Sequence, residues 1–413
     1  MGEQTAALPS SSRAASRWLL ALTVLGVGGG WLFLFSASYP LSNALWGNAF
    51  AIAMRQLLFL AGGLVLFAAA ALCPFRWVQR CALALHVAVV AALVATLFWG
   101  EAAGGAARWL AFKDVRVQPS EFAKVTLVLA LAAVMAHWWK ATRWQQQVGW
   151  WLVGVGLWVA TVVLVAMQPH LSGALILGAV GAFALLFARM PLPVWVATLM
   201  GLGALGYFAH SAVIHPYQYR RLQSAHGFVR RDDPKMHYQS RQATLGLGAG
   251  GLFGRGLFQS RQKFLFLPSA HNDFVFAVIG EELGFLGSVG VVAFFTLLAY
   301  WALRVASGTA DPFASGAAGG LGFALWSQAM LHIAVNAGLL PPTGIPLPFV
   351  SAGGSSLWST LLAMGLLVNA ARQPTGSQRR RRMGDALGDG GRGHRGAHLP
   401  RPRYRRRRSG ETA

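Results

Sequence analysis

The sequence predicts an all-α, polytopic integral membrane protein of about ten transmembrane helices, with one large extracytoplasmic segment between helices 7 and 8. Three observations lead there. Hydrophobic residues are 55% and charged residues only 12% of the 413, with a mean hydropathy of +0.48, a balance rare in soluble globular domains. Apolar runs of bilayer-crossing length recur along the chain. The basic residues of the short connections fall on alternate sides, as membrane insertion favours.

In order, the apolar runs are 17–37, 51–72, 81–99, 120–138, 148–167, 171–188, 192–211, 274–302, 314–339 and 350–371. Tight turns are required at Gln168-Pro169-His170 and Arg189-Met190-Pro191, so nine or eleven spans also fit. Residues 1–16 are polar and read as a cytoplasmic segment. The run from Trp18 has no small-residue cleavage site, so a retained first span is expected rather than a cleaved signal. Residues 17–372 then form the membrane domain, with an outer segment at about 212–272, and residues 373–413 form a tail. With both termini cytoplasmic, Arg76, Arg80, Lys140, Arg143, Arg189, Arg304 and the tail share the inner side. Arg108, Lys113 and Arg116 fall outside and oppose the rule, which invites a functional explanation. No internal repeat is evident, which weighs against an inverted-repeat transporter.

The net charge of +22 would suit a nucleic-acid binder, but its placement argues for no nucleic acid. From Ser377 to Ala413 there are twelve Arg against three acids in a Gly-rich stretch with almost no apolar residues. Such a tail is expected to be disordered and drawn to anionic lipid headgroups. Cys73 and Cys81 flank one short basic connection and imply no disulfide framework.

The chemistry concentrates between Tyr238 and Gly287. There a polar, basic, Gly-rich stretch passes through Pro268-Ser269-Ala270-His271-Asn272-Asp273 into the apolar run Phe274-Val275-Phe276-Ala277-Val278-Ile279. Asp273 thus stands at a helix mouth, where a carboxylate can simply cap backbone N–H groups. Against that stands its company, since the 212–272 segment carries nine Arg and Lys, and ionisable groups at a membrane edge mark substrate paths.

Three other outward segments are unusual. In Gln118-Pro119-Ser120-Glu121-Phe122-Ala123-Lys124, Glu121 and Lys124 share a helix face just inside the membrane, either neutralising each other or serving a site. Trp109 nearby is suited to an interfacial belt. The turn at 168–173 needs internal partners for its polar groups, and His170 there suits hydrogen bonding better than metal ligation. In the stretch 338–356, Pro341, Pro342, Pro346 and Pro348 forbid a regular helix. Gly353-Gly354-Ser355-Ser356 then offers either a pyrophosphate cradle of helix-start N–H donors or a tight packing turn.

The segments GAARWL, QPSEFAK, GGLFGRGLFQSRQKFLFLPSAHNDFVFAVIGEELG and LPPTGIPLPFVSAGGSS, in this order, resemble the SEDS family, the FtsW, RodA and SpoVE group of bacterial cell-wall synthases. The resemblance covers 18 to about 372 and is nearest the FtsW branch. It implies an inverting peptidoglycan glycosyltransferase that polymerises lipid II at the outer face of the cytoplasmic (inner) membrane, at the division septum. Implied partners are lipid II and the growing lipid-linked glycan, a class B penicillin-binding protein as transpeptidase, and other division-complex membrane proteins. The family's essential acid, in its His-x-Asp-Phe motif, falls on Asp273; its outer aromatic falls on Trp109, and its Ser-Glu-Phe-x-Lys on Ser120, Glu121 and Lys124. Substrate-binding roles are expected for Arg108, Trp109, Glu121, Lys124, Gln242, Lys263, His271, Ser351, Gly353, Gly354 and Ser355. Three positions depart from the pattern: His170-Leu171-Ser172-Gly173 replaces Asp-Leu-Gly-Thr, Ala352 replaces Tyr, and Gln242-Ala243 replaces Gln-Ser.

Joining lipid-linked sugars with inversion needs a base for the acceptor hydroxyl and cations for the departing pyrophosphate. Asp273 has no acidic neighbour between Asp233 and Glu281, and Glu281 and Glu282 lie about 12 Å further along a helix. Arg108, Lys124, Lys263 and one or more of Arg220, Arg221, Arg255 and Arg261 are candidate neutralisers. No cofactor is implied with certainty; a divalent cation is compatible, although no ligand cluster is evident. A RodA-like elongation synthase, a lipid II flippase and a noncatalytic division scaffold are the alternatives.

Overall fold

The computed structural model describes residues 10–103, 106–112, 115–168, 170–213 and 234–374. The expectations for Lys113, Arg220, Arg221 and the basic tail lie outside these residues. Ten apolar helices answer to the ten runs: α1 Ser10–Trp46, α2 Ala51–Leu72, α3 Phe75–Trp99, α4 Pro119–Lys140, α5 Trp144–Met167, α6 Leu171–Phe187, α7 Leu192–Val213, α9 Val275–Gly308, α10 Pro312–Asn336 and α11 Gly354–Ala371. Among the described residues, eight are long and apolar enough to cross a bilayer, and α6 is shorter. Several helices overrun the predicted spans, α1 in particular continuing through Pro40 to Trp46, whereas α10 stops at Asn336 short of 339 and α11 begins at Gly354 rather than 350.

Two elements depart from the expected loops. Residues 101–117 form a three-stranded antiparallel sheet, β1 Glu101–Ala103, β2 Ala106–Phe112 and β3 Val115–Val117. Within the 212–272 segment lies a further helix, α8 Pro234–Ala249, whose low hydropathy hides it from a search for spans. Gly250, just past its end, lets it pack closely on α9: a Cβ there would meet the Gly280 carbonyl oxygen at 2.0 Å.

At the centre stands α4, buried on nearly every side from Pro119 to Ala136, as suits an apolar helix without a polar face. It packs against α3, α5, α6, α10 and α11. Small residues let these helices approach, since a Cβ on Gly320 of α10 would sit 2.6 Å from Val128 Cγ1 of α4. Between α3, α4 and α5, His86 is fully buried and bonded through both ring nitrogens, to Thr126 Oγ1 at 3.1 Å and Thr161 Oγ1 at 3.0 Å. Sharing both nitrogens with hydroxyls satisfies an otherwise costly polar group among apolar helices.

The start of α1, the end of α9 and the end of α11 line one cavity of about 340 Å³, through Ala14, Thr309 and Ala370 among others. They therefore share one end of the bundle. The other end holds the sheet, α8, the turn at 268–273 and the Pro-rich loop 337–353. There α9 is broken, because Gly284 has φ 68° and ψ −161°, values that interrupt the helical ladder.

Candidate active site

Asp273 ends a compact turn in which Asn272, Asp273 and Phe274 all donate their N–H to the Ser269 carbonyl. Ser269 is in the left-handed region at φ 57°, an uncommon conformation that the surrounding contacts hold in place. The Pro-rich loop clamps the turn. Ser351 Oγ donates to Asn272 O at 2.6 Å and accepts from Leu347 N at 2.8 Å, and Ala352 N donates to His271 O at 3.0 Å. With prolines excluding helix from this loop, its hydrogen-bonding groups are free to fix the neighbouring turn instead of a helical ladder.

The capping question has a structural answer. The N-cap of α9 is Phe274, with no side-chain cap, and among the described residues the Asp273 carboxylate caps nothing. The Ala277 N–H is shared between Phe274 O at 3.1 Å and Asn336 Oδ1 at 3.0 Å, while Asn336 Nδ2 donates to Asp273 O at 3.1 Å and His332 O at 2.9 Å. The carboxylate is thereby left over for chemistry. It is half-buried, and burial raises its pKa from 3.8 to about 6, against the opposing pull of the Arg108 guanidinium. Burial also pushes the half-buried His271 imidazole below its ordinary value.

Arg108 comes from β2 and donates Nε to Gln168 O at 3.3 Å, which joins the sheet to the turn after α5. Trp109 follows it and pairs in register with Glu101; successive residues of a strand point to opposite faces, so it does not share the face of Arg108. Ser355 is committed to local structure, accepting from Gln118 N at 3.0 Å and donating to Arg116 O at 3.3 Å. Gly353 is the N-cap of α11, and a Cβ on Gly354 would lie 3.0 Å from the Phe59 ring, so close packing explains glycine there.

Glu121 and Lys124 do meet, at 2.9 Å, with side chains only 6% and 10% exposed. Lys124 Nζ also bonds Gln328 Oε1, and Gln328 Nε2 donates to Pro346 O at 2.8 Å. The pair therefore sits beneath the Pro-rich loop and is linked to it through α10. Gln328, His332 and Asn336 recur every four residues along one face of α10, and His332 Nδ1 bonds Ile345 O at 2.8 Å. The four-residue spacing of these polar groups is visible in the sequence, but the loop and turn they hold are not.

Lys263 stands apart from this group. Its ammonium is fully buried, 2.6 Å from Glu282 Oε1 and 3.0 Å from Ser36 Oγ, and packs over Tyr39 at 4.8 Å. Burial lowers its pKa, and the Glu282 hydrogen bond and charge pull it back up. Its geometry serves the fold rather than an open phosphate site. Glu281 is likewise engaged, accepting from Ser260 Oγ at 2.6 Å, Arg261 N at 3.1 Å and Gln262 N at 3.2 Å. Gln242 is half-buried on α8. Among the described residues no group of three or more His, Cys, Asp or Glu is placed to hold a metal ion.

Residues 16–376 match the FtsW/RodA/SpoVE family, described as cell cycle proteins. A Thioalkalivibrio sp. (strain K90mix) protein named "Probable peptidoglycan glycosyltransferase FtsW" is 35% identical over 360 residues, covering 86% of this chain and 89% of its own length. Stage V sporulation protein E of Bacillus subtilis (strain 168) is 32% identical over 359 residues, with 86% and 96% covered. Among solved structures, a chain described under structural coordination of polymerization and crosslinking by a peptidoglycan synthase complex aligns with a TM-score of 0.68 at 28% identity, covering 86% of this chain and 96% of that one. The rod shape determining protein RodA of Thermus thermophilus aligns at 0.62 and 27%, with 86% and 95% covered.

Proposed function

Because the chain belongs to the FtsW/RodA/SpoVE family of cell cycle proteins, we propose that it is a peptidoglycan glycosyltransferase whose general base is Asp273. The observation that carries this is a carboxylate relieved of capping by Asn336, half-buried, and facing the charge of Arg108. A base with a pKa near 6 is ionised at neutral pH yet close enough to it to accept a proton well.

In the proposed step Asp273 takes the proton of the acceptor sugar hydroxyl as that oxygen bonds the donor's anomeric carbon. The bond from that carbon to the lipid diphosphate breaks with inversion, and the diphosphate departs with the electron pair. Arg108 is the described cation placed to offset that charge. A divalent cation would supply further charge neutralisation; with Asp273 as the available carboxylate, most of its ligands would be substrate oxygens and water. Lipid II, the lipid-linked disaccharide, is the substrate read from the family.

The chain is a multi-pass membrane protein. The short-loop charges support an inner cytoplasmic membrane location with both termini cytoplasmic, which puts Asp273 at the outer face. A class B penicillin-binding protein is the proposed transpeptidase partner, in keeping with the synthase complex to which the fold is similar. A division role at the septum is preferred over elongation on the Gly353–Ser356 ending and the basic tail. The test is incubation of purified protein with labelled lipid II: glycan chains support the synthase, and vesicle crossing without chains supports a flippase.

A further inference from the structure

Between α8 and the catalytic turn, the loop presents an inverted surface. Leu252, Phe253, Leu265 and Phe266 are exposed, Phe253 by 79%. The polar groups instead face inward: Lys263 bonds Glu282, and Glu281 gathers Ser260, Arg261 N and Gln262 N. Arg255 N and Gly256 N donate to the carbonyls of Glu281 and Glu282, each at 3.0 Å. A water-facing loop does the reverse, and clustered exposed side chains of this size mark an interaction surface.

The position of this face indicates what covers it. Phe285 N donates to Gly251 O at 2.8 Å and Leu286 N to Leu252 O at 3.2 Å, so the loop is laced to α9 just beyond its break. Phe285 and Leu286, exposed by 60% and 57%, begin the apolar surface that a membrane-crossing α9 turns to lipid. The exposed loop residues extend that surface outward. Arg261, exposed, interleaves with them as a cation does at phosphate headgroups, while Arg255 turns back to Glu281 Oε1 at 3.7 Å and Ala249 O at 3.3 Å. Internal pairing of the backbone groups meets the demand that hydrocarbon places on irregular chain.

We propose that the Leu252–Phe266 segment is seated in the bilayer leaflet on the Asp273 side, with its apolar side chains among acyl chains and Arg261 at the headgroups. Given the proposed function, this holds the catalytic turn at the depth of the diphosphate of a lipid-linked substrate.

The test uses the full chain with Cys73 and Cys81 replaced by Ser and single cysteines introduced as Phe253→Cys, Phe266→Cys or Gln259→Cys. Each is spin-labelled in nanodiscs of phosphatidylethanolamine and phosphatidylglycerol. Labels at 253 and 266 should show a several-fold higher ratio of collisions with oxygen over a water-soluble nickel chelate than the label at 259. Equal ratios at all three positions would place the segment in water and overturn the proposal. Shielding of 253 and 266 from both reagents would overturn it too, pointing to a protein cover such as a second copy. The same discs given labelled lipid II keep the two readings separate: lipid-facing labels without glycan chains sink only the enzymatic reading, and water-facing labels with chains sink only this one.

Discussion

Asn336 holds both sides of the peptide region that carries the Asp273 carboxylate, donating to Asp273 O at 3.1 Å and accepting from Ala277 N at 3.0 Å. A neighbouring helix thus performs the capping that the local sequence assigned to Asp273. Asn336→Ala removes the side-chain donor to Asp273 O and one of the two acceptors of Ala277 N, and is expected to cost about 1–3 kcal/mol of stability and to slow polymerisation. Asn336→Asp keeps the acceptor and should recover part of the stability. Thermal unfolding in detergent alongside a lipid II assay checks both, and unchanged activity in Asn336→Ala would remove its positioning role.

Asp273→Asn should abolish polymerisation while stabilising the fold near neutral pH. The folded carboxyl titrates near 6 and an exposed one near 3.8, so the folded state holds its proton longer and stability falls as pH rises through that window. Above it the ionised group costs about 1–3 kcal/mol, which the neutral amide avoids. The stability difference between wild type and variant should therefore shrink below pH ~4. A variant with normal polymerisation would refute the base assignment.

Arg108→Ala removes the charge that holds the Asp273 pKa down. The acid limb of the pH–rate profile should then move to higher pH, with Arg108→Lys shifting it less. Profiles of kcat/KM against pH for the three proteins decide this. An unmoved limb with lowered kcat/KM would leave Arg108 a substrate-binding role alone.

Lys263 and Glu282 form a fully buried pair. Lys263→Met or Glu282→Gln alone strands a partner and is expected to cost about 3–5 kcal/mol, whereas the double variant should recover much of the loss. Midpoints of thermal unfolding for the three variants form the test; additive losses would deny the coupling.

Cysteines introduced as Ala225→Cys and Asp385→Cys should be labelled by an impermeant reagent in intact cells at 225 only. Reversed labelling would move the active site to the cytoplasm. A fluorescent fusion concentrated at midcell would support the division role, and uniform lateral-wall fluorescence would assign elongation.

The spans were legible because hydrocarbon demands long apolar runs, which local composition records directly. The sheet at 101–117 and α8 were not, since neither is apolar enough to stand out and both are stabilised by packing at the end of the bundle. Asp273 stands out in the sequence as an isolated acid at a helix mouth, but its freedom from capping depends on Asn336, 63 residues away. Lys263 looked like a phosphate ligand because its sequence neighbours are basic and polar. Its actual partners, Ser36 and Glu282, come from two different helices, so local pattern could not reveal them.

The break at Gly284 separates two mechanical duties within α9. From Phe285 to Gly308 the helix is about 36 Å long at 1.5 Å per residue, enough to cross a typical hydrocarbon core of about 30 Å without help from the residues before the break. The earlier piece, Val275–Leu283, is buried in protein and fixed to α10. The Phe285–Gly251 and Leu286–Leu252 hydrogen bonds bridge the break, so a tilt forced on the lipid-facing part by a thicker or thinner bilayer is passed through the 251–256 loop to the carbonyls of Glu281 and Glu282.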